Sequence, residues 1–87
     1  MMHLMVEEVG KGLHPSEVVV AINTSEGPER LVVDKRSIKG GFLTVGYPID
    51  DRGDEFLVEL PRETTTGSWR VWVGKDNVQV RTMIPAE

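Results

Sequence analysis

An all-β fold, a single small antiparallel barrel of five or six short strands, is what this 87-residue sequence predicts. Three observations carry that expectation. Apolar and polar residues alternate with period two along several short runs. Those runs are rich in β-branched residues and are separated by closely spaced Gly, Pro, Asn and Asp clusters. No segment of ten or more residues shows an apolar period near 3.6.

Taken in order, residues 1–16 read as a partly disordered N-terminal arm. Leu4, Met5, Val6 and Val9 suit one amphipathic turn or an extended piece, and Gly10, Gly12 and Pro15 stop any helix. The barrel is expected over 17–83. EVVVAIN (17–23) is β-branched, TSEGP (24–28) is a turn cluster, and ERLVVD (29–34) is the return strand of a hairpin. Gly40 and Gly41 break the pattern before FLTV (42–45), and GYPIDDRGD is a polar loop. EFLVEL (55–60) and SWRVWV (68–73) are joined by PRETTTG, and GKDN leads into a last strand, VQVRT (78–82). Residues 84–87 read as a flexible tail.

Alternation assigns the faces. Val18, Val20, Ile22, Leu31, Val33, Phe56, Val58 and Leu60 fall inside, with Ile38 and Val78 as end plugs. In the tryptophan strand Trp69, Val71 and Val73 oppose Arg70 and Trp72, and an arginine does not readily enter a small core without a partner. Trp69 is therefore expected inside and Trp72 outside. ERLVVDKRSI (29–38) also lies over WRVWVGKDNV (69–78) at an offset of forty, matching Arg30 to Arg70, Val33 to Val73, Lys35 to Lys75 and Ile38 to Val78. Duplication and a shared local way of turning a corner both account for this echo. In the same register Val32 stands where Trp72 stands in the second copy.

Composition narrows the function classes. There is no cysteine, so neither a disulfide framework nor a thiolate-held metal is available. The only histidines, His3 and His14, lie in the arm, and no cofactor is expected. A net charge of −4 opposes non-specific attraction to phosphate backbones. No apolar run approaches the roughly 20 residues that span a bilayer. The first residues lack the basic start and apolar stretch of a signal peptide, which makes the cytoplasm the expected location.

Candidate sites are few. Val19, Ala21, Val32, Leu57 and Trp72 fall on the outward face, giving either a second partly buried face or an exposed apolar contact patch. Trp72 beside Arg70 has the composition of a binding hot spot. DRGD (51–54) contains Arg-Gly-Asp, which reads as a hairpin tip using Gly53 for a positive φ. Asp50, Asp51, Asp54 and Glu55 crowd the same loop without the alternating spacing of a calcium site. Lys35, Arg36 and Lys39 form a basic cluster, extended by Arg30 and Lys75, but few aromatics interleave it. Thr64, Thr65, Thr66 and Ser68 supply hydroxyls with no histidine in the β-region to activate one. Gly40-Gly41 precedes a strand rather than a helix, so it is no phosphate loop. Nothing here spells an enzyme.

EFLVELPRETTTGSWRVWVGKDNV (55–78) resembles the closing half of bacterial SH3-like barrels, through Gly67-Ser68-Trp69 entering a strand, the GKDN turn at 74–77 and Val78 plugging the end. The resemblance implies an SH3-like barrel serving as a binding or accessory module. The acidic-tyrosine motif of the eukaryotic proline-peptide groove is absent, since Tyr47 is the only tyrosine, and OB and Sm-like barrels fit the strand count nearly as well. The expected function is a non-catalytic protein-interaction module whose outward patch comprises Trp72, Arg70, Leu57 and Val32. Its partner is an unidentified protein or a second copy of the chain. The alternative is a nucleic-acid-binding barrel using Lys35, Arg36 and Lys39.

Overall fold

In the computed structural model, residues 2–80 are described, and they contain ten strands joined by tight turns. In chain order these are β1 (Met2–Met5), β2 (Glu7–Lys11), β3 (Glu17–Thr24), β4 (Gly27–Asp34), β5 (Ile38–Lys39), β6 (Phe42–Val45), β7 (Asp50–Arg52), β8 (Glu55–Glu59), β9 (Arg70–Gly74) and β10 (Val78–Val80). Single 3-10 turns at Lys35–Ser37 and Lys75–Asn77 separate β4 from β5 and β9 from β10. The turns follow local chemistry. Gly40 and Gly41, at φ 59° and 83°, give β5 and β6 the two positive-φ residues of a type I′ hairpin. Gly53, at φ 72°, opens the two-residue turn between β7 and β8, where Arg52 pairs with Glu55.

The expected single barrel is not formed, and with it the SH3-like assignment falls. Three separate antiparallel sheets are present: β10-β1-β6-β5, β2-β3-β4 and β7-β8-β9. None closes on itself. The reason lies at three corners where the chain leaves one sheet and enters another. Val6 interrupts the run from β1 to β2, and the two 3-10 turns interrupt β4–β5 and β9–β10. A 3-10 turn spends its backbone groups on itself: Ile38 N–H returns to Lys35 C=O, and Val78 N–H to Lys75 C=O. The ladders therefore stop at these corners. Among the described residues the backbone bonds between β3–β4 and β9 are single ones, such as Ser25 N–H to Trp72 C=O at 2.9 Å.

Within residues 1–16, expected as a partly disordered arm, Met2–Met5 and Glu7–Lys11 are strand. β1 lies in the middle of the four-stranded sheet, paired with β6 through Leu4–Leu43 and with β10 through Leu4–Val78. Met2 and Leu4 are wholly buried. The tail at 84–87 lies outside the described residues.

The echo at offset forty extends through the architecture. Both 3-10 turns start from an extended residue, Asp34 (φ −67°, ψ 136°) and Gly74 (φ −64°, ψ 143°). Lys35 N–H bonds to Ser16 C=O and Lys75 N–H to Asp54 C=O, each on the residue just before β3 or β8. Gly27 and Gly67, forty apart, both take positive φ. Each half also donates one bond to the other: Ser25 N–H to Trp72 C=O, and Thr65 N–H to Arg30 C=O. The four-stranded sheet repeats the theme, since β5 pairs with β6 of the second half and β10 pairs with β1 of the first. The two halves thus exchange their last strands around an approximate two-fold in the topology.

One apolar core serves all three sheets. Val18, Val20, Ile22, Leu31, Val33, Val58, Leu60, Val71 and Val73 are buried as alternation requires, joined by Met2, Leu4, Leu43 and Val45. Phe56, Ile38 and Val78 pack against it while partly buried. Trp69 departs from the expectation: it is 51 % exposed. The β8–β9 ladder ends at Glu59–Arg70. One further bond, Leu60 N–H to Trp69 C=O, follows, and the loop beyond it bonds to itself, Thr64 N–H to Ser68 C=O and Gly67 N–H to Thr64 C=O, instead of extending the pairing. The chain bends away before the indole reaches the core, although Val71 and Val73 keep the register.

Candidate interaction surface

Trp72 lies on the outward side of β9, directly opposite Leu57 of β8. Both are half-buried. The indole is not bare, because the Arg52 guanidinium stacks over it at 4.1 Å from the ring centroid. Arg52 is held there by Glu55 Oε1, which accepts from Nε at 2.9 Å, and by Ser25 Oγ at 3.5 Å from Nη2. Arg70, the neighbour in sequence, reaches Glu59 instead at 4.0 Å. Trp72, Leu57 and Arg70 thus share the outer face of one sheet, with an arginine lid from the DRGD hairpin. Val32, the fourth residue of the expected patch, stands on β4 in a different sheet.

Val32 instead lines an open groove with Pro61, Arg62, Glu63, Thr65 and Trp69. Val32 falls on the outward side of β4, across from Val19 and outside the buried core. The opposite wall is the 60–69 loop, whose shape is fixed by its own polar groups. Thr64 is buried, and its Oγ1 accepts the Ser68 N–H at 3.0 Å. Thr64 N–H reaches Ser68 C=O, and Gly67 N–H reaches Thr64 C=O, both at 2.9 Å. Gly67, at φ 94°, makes this tight return without steric cost. At the next turn of the loop, Thr66 Oγ1 donates to Glu29 Oε1 at 2.7 Å. The exposed indole is therefore carried on an ordered platform. Arg62 is tethered at the rim by Glu17, with Nη1 to Oε2 at 3.5 Å.

The basic cluster occupies the first corner. Lys35 and Arg36 lie in the 3-10 turn and Lys39 on β5, all exposed. Arg36 is engaged by Asp34, whose carboxylate accepts from the Arg36 backbone N–H at 2.8 Å, from Nε at 3.3 Å and from Nη2 at 3.2 Å. The side-chain hydrogen bond from Arg36 holds the Asp34 carboxyl below its ordinary value, aided by the backbone N–H, and the same bond raises Arg36. Of the two cations that extended the cluster, Lys75 pairs with Asp51 at 3.0 Å and stacks over Phe56 at 4.6 Å. The acidic loop is thus divided between partners, Asp51 with Lys75 and Glu55 with Arg52. Among the described residues no three His, Asp or Glu side chains gather as a metal site needs. Nor, among them, is any helix long and apolar enough to cross a membrane.

Comparison with family models, with curated proteins and with solved structures gives no match. The surface must be read from its own chemistry. Sequence reasoning missed Trp69 as a surface residue, because alternation along 69–73 carries no signal that the ladder ends at Arg70.

Proposed function

We propose that this chain is a non-catalytic protein-interaction module that engages a partner through the groove between Val32 and Trp69. The half-exposed Trp69 indole, held on the hydrogen-bonded 60–69 loop, carries this reading. Tryptophan and arginine dominate binding hot spots, and a side chain already fixed in place loses less entropy on association. Pro61 and Val32 supply apolar walls beside it, and Arg62 supplies a charged rim. Trp72 is a weaker centre than the sequence suggests, because Arg52 already covers its ring. The nucleic-acid alternative is weakened by the Asp34–Arg36 pairing, which neutralises one of its three cations.

The test uses a photo-crosslinking residue at Thr65, on the groove wall, with and without Trp69→Thr. Crosslinks to a protein that vanish with Trp69→Thr, but persist with Lys35→Glu and Trp72→Phe, support the reading. Binding of generic DNA or RNA that weakens steeply with salt and is lost on Lys35→Glu would overturn it in favour of the alternative.

A further inference from the structure

The groove at Trp69 runs beside a strand edge whose backbone groups are open among the described residues, and in the two-fold topology a backbone N–H meets the equivalent edge. In an antiparallel ladder, successive residues point their N–H and C=O alternately toward and away from the partner strand. Arg30 C=O accepts Thr65 N–H from the 60–69 loop, so Arg30 points away from β3. Two residues on, Val32 points the same way, while Leu31 and Val33 face Val20 and Val18 of β3. Among the described residues neither the N–H nor the C=O of Val32 meets a backbone partner beyond the ladder. An edge strand with unpaired groups is a template for another strand.

Trp72 is the counterpart of Val32, forty residues on, and its edge is closed: Trp72 C=O accepts Ser25 N–H at 2.9 Å. Ser25 and Thr65 are themselves counterparts. Thr65 bonds to Arg30, whereas the exact repeat of the Ser25–Trp72 bond would fall on Val32. The covering contact has slipped two residues along β4 and, among the described residues, left the Val32 backbone N–H and C=O without a partner, beside the exposed Trp69. At the equivalent edge of β9 the position is filled by the β3–β4 hairpin turn, through the backbone N–H of Ser25. The open edge of β4 correspondingly offers a backbone N–H and C=O on a strand edge, which suit a backbone partner from outside.

Building on the interaction reading above, we infer that the partner binds as an extended peptide segment added to the edge of β4. It exchanges backbone hydrogen bonds with Val32 and lays an apolar side chain on Trp69. Backbone bonds supply the affinity in this mode, and the side-chain pocket supplies the specificity. The occupant is a short segment rather than a second β4, because the 60–69 loop already covers the edge at Arg30. An antiparallel β4 from another copy, centred on Val32, would run into that loop.

The experiment uses the full chain, labelled with 15N, and peptides from a phage-displayed random library selected on it and counter-selected on Trp69→Thr. In the free chain the Val32 amide exchanges rapidly with solvent, while the amides of Leu31 and Val33 are protected. On saturation with a selected peptide, Val32 N–H becomes protected and shifts downfield. Val32→Pro, which removes only an outward-pointing donor on an edge strand, weakens binding by about tenfold, the worth of one hydrogen bond. Val32→Thr keeps the donor and retains binding. Should Val32→Pro disturb the fold, N-methylation of the peptide amide that faces Val32 C=O makes the same test from the ligand side. Peptides that require Trp69 but leave Val32 N–H open, and bind Val32→Pro and N-methylated forms equally, overturn strand addition while sparing the interaction reading. Failure to select any Trp69-dependent peptide overturns both. Concentration-dependent self-association in sedimentation that protects Val32 N–H overturns the short-segment occupant in favour of a second copy.

Discussion

Replacing Leu4 with alanine tests whether the first residues belong to the core. Leu4 is wholly buried on the central strand of the four-stranded sheet, facing Leu43 on one side and Val78 on the other. Truncating a fully buried leucine removes its transfer free energy and leaves a cavity, together about 2–5 kcal/mol. At about 0.05–0.15 kcal/mol per residue, a chain of this length has only about 4–13 kcal/mol in total. Leu4→Ala should therefore remove a large share of the stability and lower Tm by about 10–30 °C. The assay is urea unfolding followed by tryptophan fluorescence, with the m-value unchanged as the sign that the folded state is intact. Met5→Ala is the internal control. Met5 is the next residue on the same strand, 47 % exposed and facing outward, and its loss should cost about 1 kcal/mol or less. Equal and small effects at both positions would show that β1 is a peripheral arm and refute its central place in the sheet.

Three further outcomes follow from individual contacts. Gly12→Ala should destabilise the β2–β3 tip by about 1–3 kcal/mol, because a Cβ there would meet Glu17 Cβ at 2.5 Å; an unchanged urea midpoint would contradict that approach. Asp34 has its folded pKa lowered by Arg36, so its stabilising contribution is present above its ordinary value of 3.8 and is lost as pH falls through the lower folded value. The stability gap between the wild type and Asp34→Asn should accordingly close on acidification below that value, and a widening gap would reverse the sign. A double-mutant cycle of Arg52→Ala and Trp72→Ala should return a coupling of about 0.5–1 kcal/mol, as expected for a guanidinium over an indole; zero coupling would remove the lid.

The inside of the structure was legible because period-two alternation is a strong constraint on hairpins with one buried face. Val18, Val20 and Ile22 opposite Leu31 and Val33 follow from it, as do Val58 and Leu60 opposite Val71 and Val73. What alternation cannot carry is the path between sheets. Val6 and the two 3-10 turns redirect the chain at corners, and a barrel and three open sheets demand the same local grammar from each strand. Met2 and Leu4 were hidden for a related reason: two apolar residues beside Glu7 and Glu8 look like an arm until β6 and β10 arrive from far along the chain. The lid on Trp72 was equally remote, since Arg52 comes from another hairpin, while Arg70 was only the nearest cation in sequence.

The repeat explains where the candidate site falls. Positions forty apart share burial and turn geometry wherever both halves do the same structural work, as at Val33 and Val73 or Gly27 and Gly67. They diverge where the halves do different work. β4 begins at Gly27 and pairs with β3 along its whole length, so Glu29 sits within a ladder and meets Ile22. Its counterpart Trp69 lies beyond the end of the β8–β9 ladder, where the 60–69 loop turns to bond with itself. That early stop does two things at once: it releases an indole to the surface, and it lets the following loop bond to β4 at Arg30 instead of Val32. An exposed tryptophan and an uncovered strand edge are then two results of one break in the repeat. A single substitution of Gly67 should test that link. Gly67→Ala strains the positive-φ return of the 60–69 loop, and if the two features share that cause, it should change both the acrylamide quenching of Trp69 and the exchange rate of the Val32 amide. A change in one without the other would separate them.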